Sequence, residues 1–178
     1  MPPECKVGVG AWLGSESRTA LGIGEQASRI EGLGFHSFWL PESHFVPGYC
    51  VPAPLLFLMA AAAHTKTLKL GTGSYLLPIR NAVQMAEEVA VLDQLSQGRV
   101  ILGVGRGYQK KLFSAYQISS RNKRQLFEES LEKMMSAWVG NPLRVEGQNA
   151  KNDTYLSPLP FQKPHPPIWV AAFGPKGL

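Results

Sequence analysis

The chain has 178 residues, of which 44% are hydrophobic and 17% are charged, and its formal net charge is +5. This is the composition of an ordinary globular protein, so it excludes a disordered chain and a collagen-like repeat. The length predicts one domain over residues 1–178, built around a single core.

We expect neither a signal peptide nor a membrane span. The longest uncharged stretch, residues 43–65, contains three prolines, which makes it a poor membrane span. Cys5 and Cys50 match no metal-binding or redox spacing. We therefore predict free thiols, a cytoplasmic location and no metal site.

The positive charge is concentrated in one segment. Between Gln94 and Phe127 the chain has no acidic residue, but it has seven basic ones: Arg99, Arg106, Lys110, Lys111, Arg121, Lys123 and Arg124. Such a block predicts an anionic partner. We interpret five of the seven as a solvated face and keep Arg99 and Arg106 as candidates for anion binding. Without a recognition motif, the block does not predict nucleic-acid binding.

Five short apolar segments are predicted to be strands. They are residues 6–12, 35–40, 67–76, 100–104 and 168–172. Each of the four intervals between them contains a helical pattern, so strands and helices alternate. This alternation predicts a parallel sheet of the α/β class. The polar, Pro-rich residues 144–167 are expected to be irregular.

The first two helices are predicted at residues 19–32 and 55–64. Ser17 is expected to cap the first helix, which ends at Gly32 and Gly34. Its buried stripe is predicted to consist of Ile23, Ala27, Ile30 and Leu33. The second helix is apolar on all sides, so we expect it to be buried or paired.

The third helix is predicted to begin after its cap, Asn81, and to end before Gly98 in the left-handed conformation. Its buried side is predicted to consist of Val83, Ala86, Val89, Ala90 and Leu95. The fourth helix is expected to begin at Ser119 or Ser120 and to run to Trp138. Its buried stripe is predicted to pass through Phe127, Leu131 and Met134.

Candidate site residues follow three predicted strands, at the end where parallel α/β enzymes bind their ligands. Glycines at 103, 105 and 107 permit close approach of a ligand, and Arg106 lies between the last two. Glu42 and His44 have the spacing of a carboxylate that orients a base. The glycines at 71 and 73 predict a bulge or a ligand contact. Each motif also has a purely structural alternative. The glycines at 103–107 would form a tight turn, Glu42 and His44 would lie in a loop without meeting, and the glycines at 71 and 73 would form a simple bulge.

Five segments together resemble the luciferase-like monooxygenase family, which includes bacterial luciferase. They are FWLPESHF, AAHTKTLKLGTGSYLLP, AVQMAEEVAVLDQLSQGR, VILGVGRGYQKKLF and QKPHPPIWVAAFGPK. The resemblance implies a TIM (β/α)8 barrel that binds FMN or a deazaflavin at the carboxyl ends of its strands. Because such a barrel needs about 250 residues, we expect one that is truncated after the fifth strand.

The resemblance also implies residue roles. Arg106 matches the arginine that contacts the flavin phosphate, and Gly105 and Gly107 match the residues that flank it beneath the cofactor. Thr72 and Gly73 match a bulge, often with a non-proline cis peptide, that presses on the isoalloxazine ring.

Two further matches are partial. Glu42 and His44 match two members of a catalytic Glu-His-His pattern, in which Ser43 replaces the remaining histidine. Gly174 lies where the family often offers a hydroxyl to the phosphate, so only its backbone is available.

The implied function is that of a flavin-dependent monooxygenase, which uses reduced FMN and dioxygen on a small organic substrate. A separate flavin reductase would supply the reduced FMN. Deazaflavin-dependent hydride transfer is an alternative, because AFGPK resembles that branch whereas GRGYQ resembles FMN users. A non-catalytic flavin-binding or dimerisation module is a second alternative. Members dimerise through their second and third helices, which implies a homodimer.

Truncation has a physical consequence. Five strands leave the first and the fifth with open hydrogen-bonding edges. The inner face, predicted to include Val7, Val9 and Trp39, also loses its opposite wall. We therefore predict that the chain alone binds flavin weakly and does not turn over.

Overall fold

A computed structural model describes residues 5–10, 20–47, 50–143 and 153–172 of the chain. Its strands are β1 (Gly8–Gly10), β2 (Ser37–Leu40), β3 (Lys69–Thr72), β4 (Tyr75–Leu76), β5 (Val100–Gly105) and β6 (Ile168–Val170). Its helices are α1 (Ala20–Gly32), α2 (Pro54–His64), α3 (Ala82–Leu95), α4 (Lys110–Ala115) and α5 (Lys123–Trp138).

The strands form one sheet in the order β1-β2-β3-β5-β4, and β6 also pairs with β5. The pairs β1–β2, β2–β3, β3–β5 and β5–β6 are all parallel. The predicted parallel α/β sheet is therefore confirmed. Closure into a barrel and the point of truncation stay predictions.

The chain packs as two compact units. The first unit takes the described residues of Met1–Tyr75, Arg99–Val104 and Pro167–Ala171. The second takes those of Leu76–Gly98, Gly105–Pro166 and Ala172–Leu178. The single domain predicted over residues 1–178 stays a prediction.

In the first unit, α1 and α2 pack together beside the sheet. Gly24 of α1 leaves room for the ring of His64, since a Cβ atom at Gly24 would overlap that ring. On one face of β2, Phe38 and Leu40 are fully buried. Successive side chains of a strand point to opposite faces, so Ser37 and Trp39 lie on the other face.

Trp39 lies flat on that second face because its neighbours lack side chains. A Cβ atom at Gly71 of β3 would overlap the indole, and one at Gly8 of β1 would lie 2.8 Å from its Nε1. Trp39 Nε1 donates to Ser37 Oγ at 2.8 Å. The ring of Trp169 stacks against Trp39 with centroids 4.8 Å apart.

The second unit is held by α3 and α5. Trp138 is buried and its Nε1 donates to the carbonyl of Ala86 at 3.0 Å. Asp93 of α3 is fully buried and accepts hydrogen bonds from Gln162 N and Nε2, at 2.8 and 2.7 Å. Asn81 accepts from Val83 N and Gln84 N, so the predicted cap is confirmed. Gly98 has the expected positive φ of 77°.

Several sequence predictions about burial were wrong. Val9 pairs in register with Phe38, whereas Gly10 pairs with Trp39, so Val7 and Val9 lie on the face opposite Trp39. Leu33 and Leu95 are 75% and 63% exposed, because each lies at the end of its helix, beyond the packed turns.

The apolar second helix is buried on only part of its surface, and the alternative that it is paired stays a prediction. Leu56 of α2 is 65% exposed, whereas Leu55 and Leu58 are buried. Within the described residues, only part of this helix therefore meets the sheet and α1. The predicted role of α2 and α3 in a homodimer stays a prediction.

Element boundaries differ at three places. Residues 67–76 form two strands, β3 and β4, and not one. The short helix α4 has no counterpart in the sequence prediction. Neither Ser119 nor Ser120 is the cap of α5: a single 3-10 turn, Ser120–Asn122, precedes that helix, and its cap residue, Asn122, makes no side-chain capping hydrogen bond. The Ser17 cap lies outside the described residues.

No helix among the described residues is both long and apolar enough to cross a membrane.

Candidate functional site

Arg99, one of the two candidate anion-binding arginines, is a structural residue. It directly precedes β5 and is 8% exposed. Its Nη1 donates to Thr65 Oγ1 at 2.7 Å and to the Leu68 carbonyl at 3.2 Å, and its Nη2 donates to the Ala62 carbonyl at 3.0 Å. Burial lowers the pKa of the Arg99 guanidinium, and the negative charge of Glu31 opposes that change. Arg99 therefore donates to acceptors of the chain itself, which favours a structural role over anion binding for this candidate.

Glu31, in the last turn of α1, binds the segment before β3, at the same end of the sheet as Arg99. Its carboxylate accepts from the backbone N–H groups of Lys66, Thr67 and Leu68, at 2.6 to 3.1 Å, and from the Thr67 hydroxyl at 3.0 Å. Burial raises the pKa of the Glu31 carboxyl, but these hydrogen bonds outweigh burial, so the pKa is lowered from its ordinary value of 4.5.

At the carboxyl end of β2, the structure brings Glu42 and His44 together. His44 Nε2 and Glu42 Oε1 are 2.6 Å apart, and the two side chains are 4% and 0% exposed. This distance is that of a hydrogen bond between the imidazole and the carboxyl group. The alternative in which these residues never meet is excluded. The pair is an oriented imidazole, the arrangement from which a proton can be held or moved.

Ser43, between them, fixes the loop itself. Its N–H donates to the carbonyl of Val51 at 3.1 Å, and its hydroxyl accepts from Val51 N at 3.0 Å. The thiol of Cys50 donates to the Ser43 carbonyl at 3.1 Å. Ser43 thus has a structural role, whereas its two neighbours form the polar pair.

At the carboxyl end of β3, the strand is interrupted where the glycine pattern predicted it. The Gly73–Ser74 peptide bond is cis. Thr72 is 1% exposed and its Oγ1 donates to the carbonyl of Gly103 at 2.7 Å. Gly73 N donates to the carbonyl of Leu40 at 2.8 Å, and its α-carbon is exposed with nothing within 4 Å of a Cβ position.

The glycine at 103 is required by close approach of the two strands. A Cβ atom there would overlap the backbone carbonyl oxygen of Thr72, which cannot rotate away. The hydroxyl of Thr72 is already committed to Gly103. Thr72 therefore fixes the end of β3, while Gly73 is the position that a flat ligand can approach.

Arg106 directly follows Gly105, the last residue of β5. Its side chain is half-buried, and among the described residues it makes no hydrogen bond or ion pair. Gly107 has a φ of 70°, in the left-handed region that favours glycine. A guanidinium that has no counter-ion among the described residues, beside two glycines, fits an anionic group such as a phosphate.

One contact at this loop was missed by the sequence interpretation. Lys123, the first residue of α5, donates from Nζ to the carbonyl of Gly107 at 3.4 Å. Sequence spacing gives no signal for a pairing 16 residues apart. The other candidate, Gly174, lies outside the described residues.

Residues 5–178 match the family model described as luciferase-like monooxygenase. The chain is 35% identical over 151 residues to protein y4wF of Sinorhizobium fredii, a match that covers 84% of the chain and 44% of y4wF. It is 33% identical over 158 residues to limonene 1,2-monooxygenase of Rhodococcus erythropolis, covering 85% and 40%. It is 30% identical over 147 residues to the oxygenase component of flavin-dependent trigonelline monooxygenase of Acinetobacter baylyi, covering 80% and 40%.

Solved structures share the fold. The monooxygenase RslO1 from Streptomyces bottropensis superposes with a TM-score of 0.80 at 31% identity, covering 94% of the chain and 54% of RslO1. The oxygenating constituent of 3,6-diketocamphane monooxygenase of Pseudomonas putida, solved with FMN, gives 0.78 at 22% identity, covering 95% and 52%.

A third structure, the coenzyme F420 dependent tetrahydromethanopterin reductase of Methanopyrus kandleri, gives 0.72 at 22% identity, covering 97% and 51%. At 22% identity a match shows the fold alone. The chain spans 40–44% of the three sequence relatives and about half of the three solved chains.

Proposed function

Since the chain belongs to the luciferase-like monooxygenase family, we propose that it is the flavin-binding part of a two-component, flavin-dependent monooxygenase. The observation that carries this proposal is Arg106. It is a half-buried arginine with no partner among the described residues, set between two glycines at the end of a parallel strand.

The cofactor that we propose is FMN, in its reduced form. Arg106 would hold the phosphate by a charge-assisted hydrogen bond. Gly105 and Gly107 would let the backbone approach the cofactor, and the exposed Gly73 would leave room for the flavin ring. Thr72, whose hydroxyl is bonded to Gly103, would keep that strand end in position. The backbone of Gly174 would be a further phosphate contact.

When bound, reduced FMN supplies the electrons with which dioxygen is activated for insertion into a small organic substrate. The chain's own contribution is to bind, to orient and to handle protons. Glu42 orients the imidazole of His44, and His44 would accept or return a proton during the reaction. A separate flavin reductase would deliver the cofactor, as the term oxygenase component implies for the trigonelline relative.

The proposal is tested by titrating FMN into the full 178-residue chain while following flavin fluorescence. We expect weak binding, because the predicted truncation after the fifth strand would remove three of the eight strand positions of a barrel. Arg106→Ala should weaken FMN binding about thirtyfold, since a hydrogen bond between charged groups is lost.

The matched control is Arg121→Ala, an exposed arginine in the same acid-free block. It should leave the affinity unchanged. Equal losses in the two variants, or a preference for a deazaflavin over FMN, would contradict the proposal. Complete absence of flavin binding would favour a module without flavin chemistry.

A further inference from the structure

Three exposed cations of the acid-free block lie on one helical hairpin, which consists of α4 and the 3-10 turn Ser120–Asn122. Lys110 and Lys111 lie on α4, Arg121 lies on the turn, and the two elements are in contact. We call these three residues the basic hairpin. The proposed function assigns no role to any of them.

The hairpin has a fixed position because its other side is buried. Leu112 and Phe113 of α4 form a buried cluster with Ile79, and Ile118 packs against that cluster. The N–H of Ile118 donates to the carbonyl of Phe113 at 2.9 Å, which closes the bend between the two arms of the hairpin. Since the apolar side chains occupy the buried side, the cations lie on a surface of defined geometry.

The charges of the basic hairpin are not compensated within the part of the chain that the structure describes. There, none of its three side chains forms a hydrogen bond or an ion pair. The sequence has no acid between Gln94 and Phe127, and the first acid after this interval, Glu128, already pairs with Arg124 at 2.8 Å. A surface with charges of one sign attracts and orients a partner of the opposite sign.

Two exposed tyrosines flank the cations. Tyr108 precedes α4 and is 79% exposed, and Tyr116 follows α4 and is 40% exposed. Tyrosine is enriched at protein interfaces, whose polar rims carry the charged residues. Three cations are few for a nucleic acid, since its binding proteins contact about six to ten phosphates. The composition of this surface therefore favours a protein partner.

We propose that the basic hairpin is a docking surface for an acidic face of a partner protein. This inference rests on the proposed function, in which a flavin reductase delivers reduced FMN to Arg106. Because α4 begins at Lys110, four residues after Arg106, a protein bound here lies beside the loop that receives the cofactor. Attraction between the two charged faces speeds their encounter and weakens as salt screens it.

The probe for an acidic face is a fluorescein-labelled decaglutamate peptide, whose binding to the full chain is measured by fluorescence anisotropy. The test variant combines Lys110→Met, Lys111→Met and Arg121→Met. It should bind the peptide about tenfold more weakly than the unsubstituted chain, because three ion pairs are lost. Raising the salt concentration from about 0.05 M to about 0.5 M should narrow this difference.

The matched control removes the same number of charges from other places. It combines Arg29→Met, Lys6→Met and Lys133→Met, three exposed cations outside the acid-free block. Its affinity for the peptide should change less than about twofold, since exposed charges at a distance are screened. Equal weakening in the two variants would show that only net charge matters, which overturns the inference. Absence of peptide binding by the unsubstituted chain overturns it as well.

Two further measurements separate the remaining outcomes. A labelled decathymidylate that binds more tightly than the peptide, and loses affinity in the test variant alone, would assign the surface to a nucleic acid and overturn the inference. FMN titration reports the proposed function separately, because the test variant keeps Arg106. Weaker peptide binding with unchanged FMN affinity supports the inference, whereas an equal loss of both affinities indicates a misfolded variant and overturns it.

Discussion

Arg99 and Arg106 flank the same strand, β5, and belong to the same acid-free block, but their surroundings are opposite. Arg99 precedes the strand, is buried, and donates to three acceptors of the chain. Arg106 follows the strand, is half-buried, and bonds to nothing among the described residues.

The same contrast separates the two ends of the first unit's sheet. At the amino end, Glu31 and Arg99 satisfy backbone groups of the segment before β3. At the carboxyl end, Glu42 and His44 pair with each other. In parallel α/β folds one end serves stability and the other serves ligands. The difference shows that the strand end at which a charged side chain lies decides its role. At the amino end such a side chain binds the backbone and stabilises the fold, whereas at the carboxyl end it is placed for a ligand.

The largest expected effect is that of Arg99→Met. It should lower the free energy of unfolding by about 3 kcal/mol, because three buried acceptors lose their donors. Urea denaturation followed by circular dichroism measures this change. Arg106→Met is the matched variant at the other end and should shift the value by less than about 0.5 kcal/mol. Equal losses of unfolding free energy in Arg99→Met and Arg106→Met would contradict the contrast between a structural arginine and an available one.

Gly103→Ala tests whether the close approach of β3 and β5 near their carboxyl ends contributes to stability. The new methyl group would overlap the Thr72 carbonyl, so we expect a loss of about 2 kcal/mol in unfolding free energy. Gly10→Ala in β1 is the control, because nothing lies within 4 Å of its Cβ position. Thermal unfolding of the two variants should differ by several degrees. Identical melting temperatures would show that β3 leaves room for a Cβ atom at Gly103, contrary to the overlap with the Thr72 carbonyl.

Glu31→Gln should have the smallest effect, about 1 kcal/mol, because its hydrogen bonds are partly exposed to solvent. The pKa of Glu31 is lower in the folded chain than its ordinary 4.5. Its stabilisation is therefore complete above about pH 4.5 and fades as the pH falls through the folded-state value.

The matching experiment measures unfolding free energy at pH 7 and at pH 3. The difference between the original chain and Glu31→Gln should shrink at the lower pH. Glu25→Gln, at an exposed position of the same helix, should show no such pH dependence. If Glu31→Gln lowered the unfolding free energy equally at both pH values, the charge of Glu31 would not contribute to stability.

Much of the fold followed from local patterns. The alternation of strands and helices and the Asn81 cap were predicted because hydrophobic periodicity and capping chemistry act within a few residues. The exposures of Leu33 and Leu95 were not predicted, because periodicity says which face is apolar but not where the packing partner ends. The face of Val9 was misassigned because alternation along β1 does not say which of its two faces is the inner one. That is decided by the register with β2, in which Val9 pairs with Phe38.

The sequence by itself determined the class of the protein and where its candidate residues occur along the chain. The glycines around Arg106 and the break at Gly73 are local features, so their pattern was visible. Only the tertiary structure decided which charges are available. Arg99 and Arg106 look alike in the sequence, but acceptors 31 to 37 residues away satisfy the first. A buried charge is stabilised by hydrogen-bond partners that are distant in the chain, and a local sequence pattern cannot predict these partners.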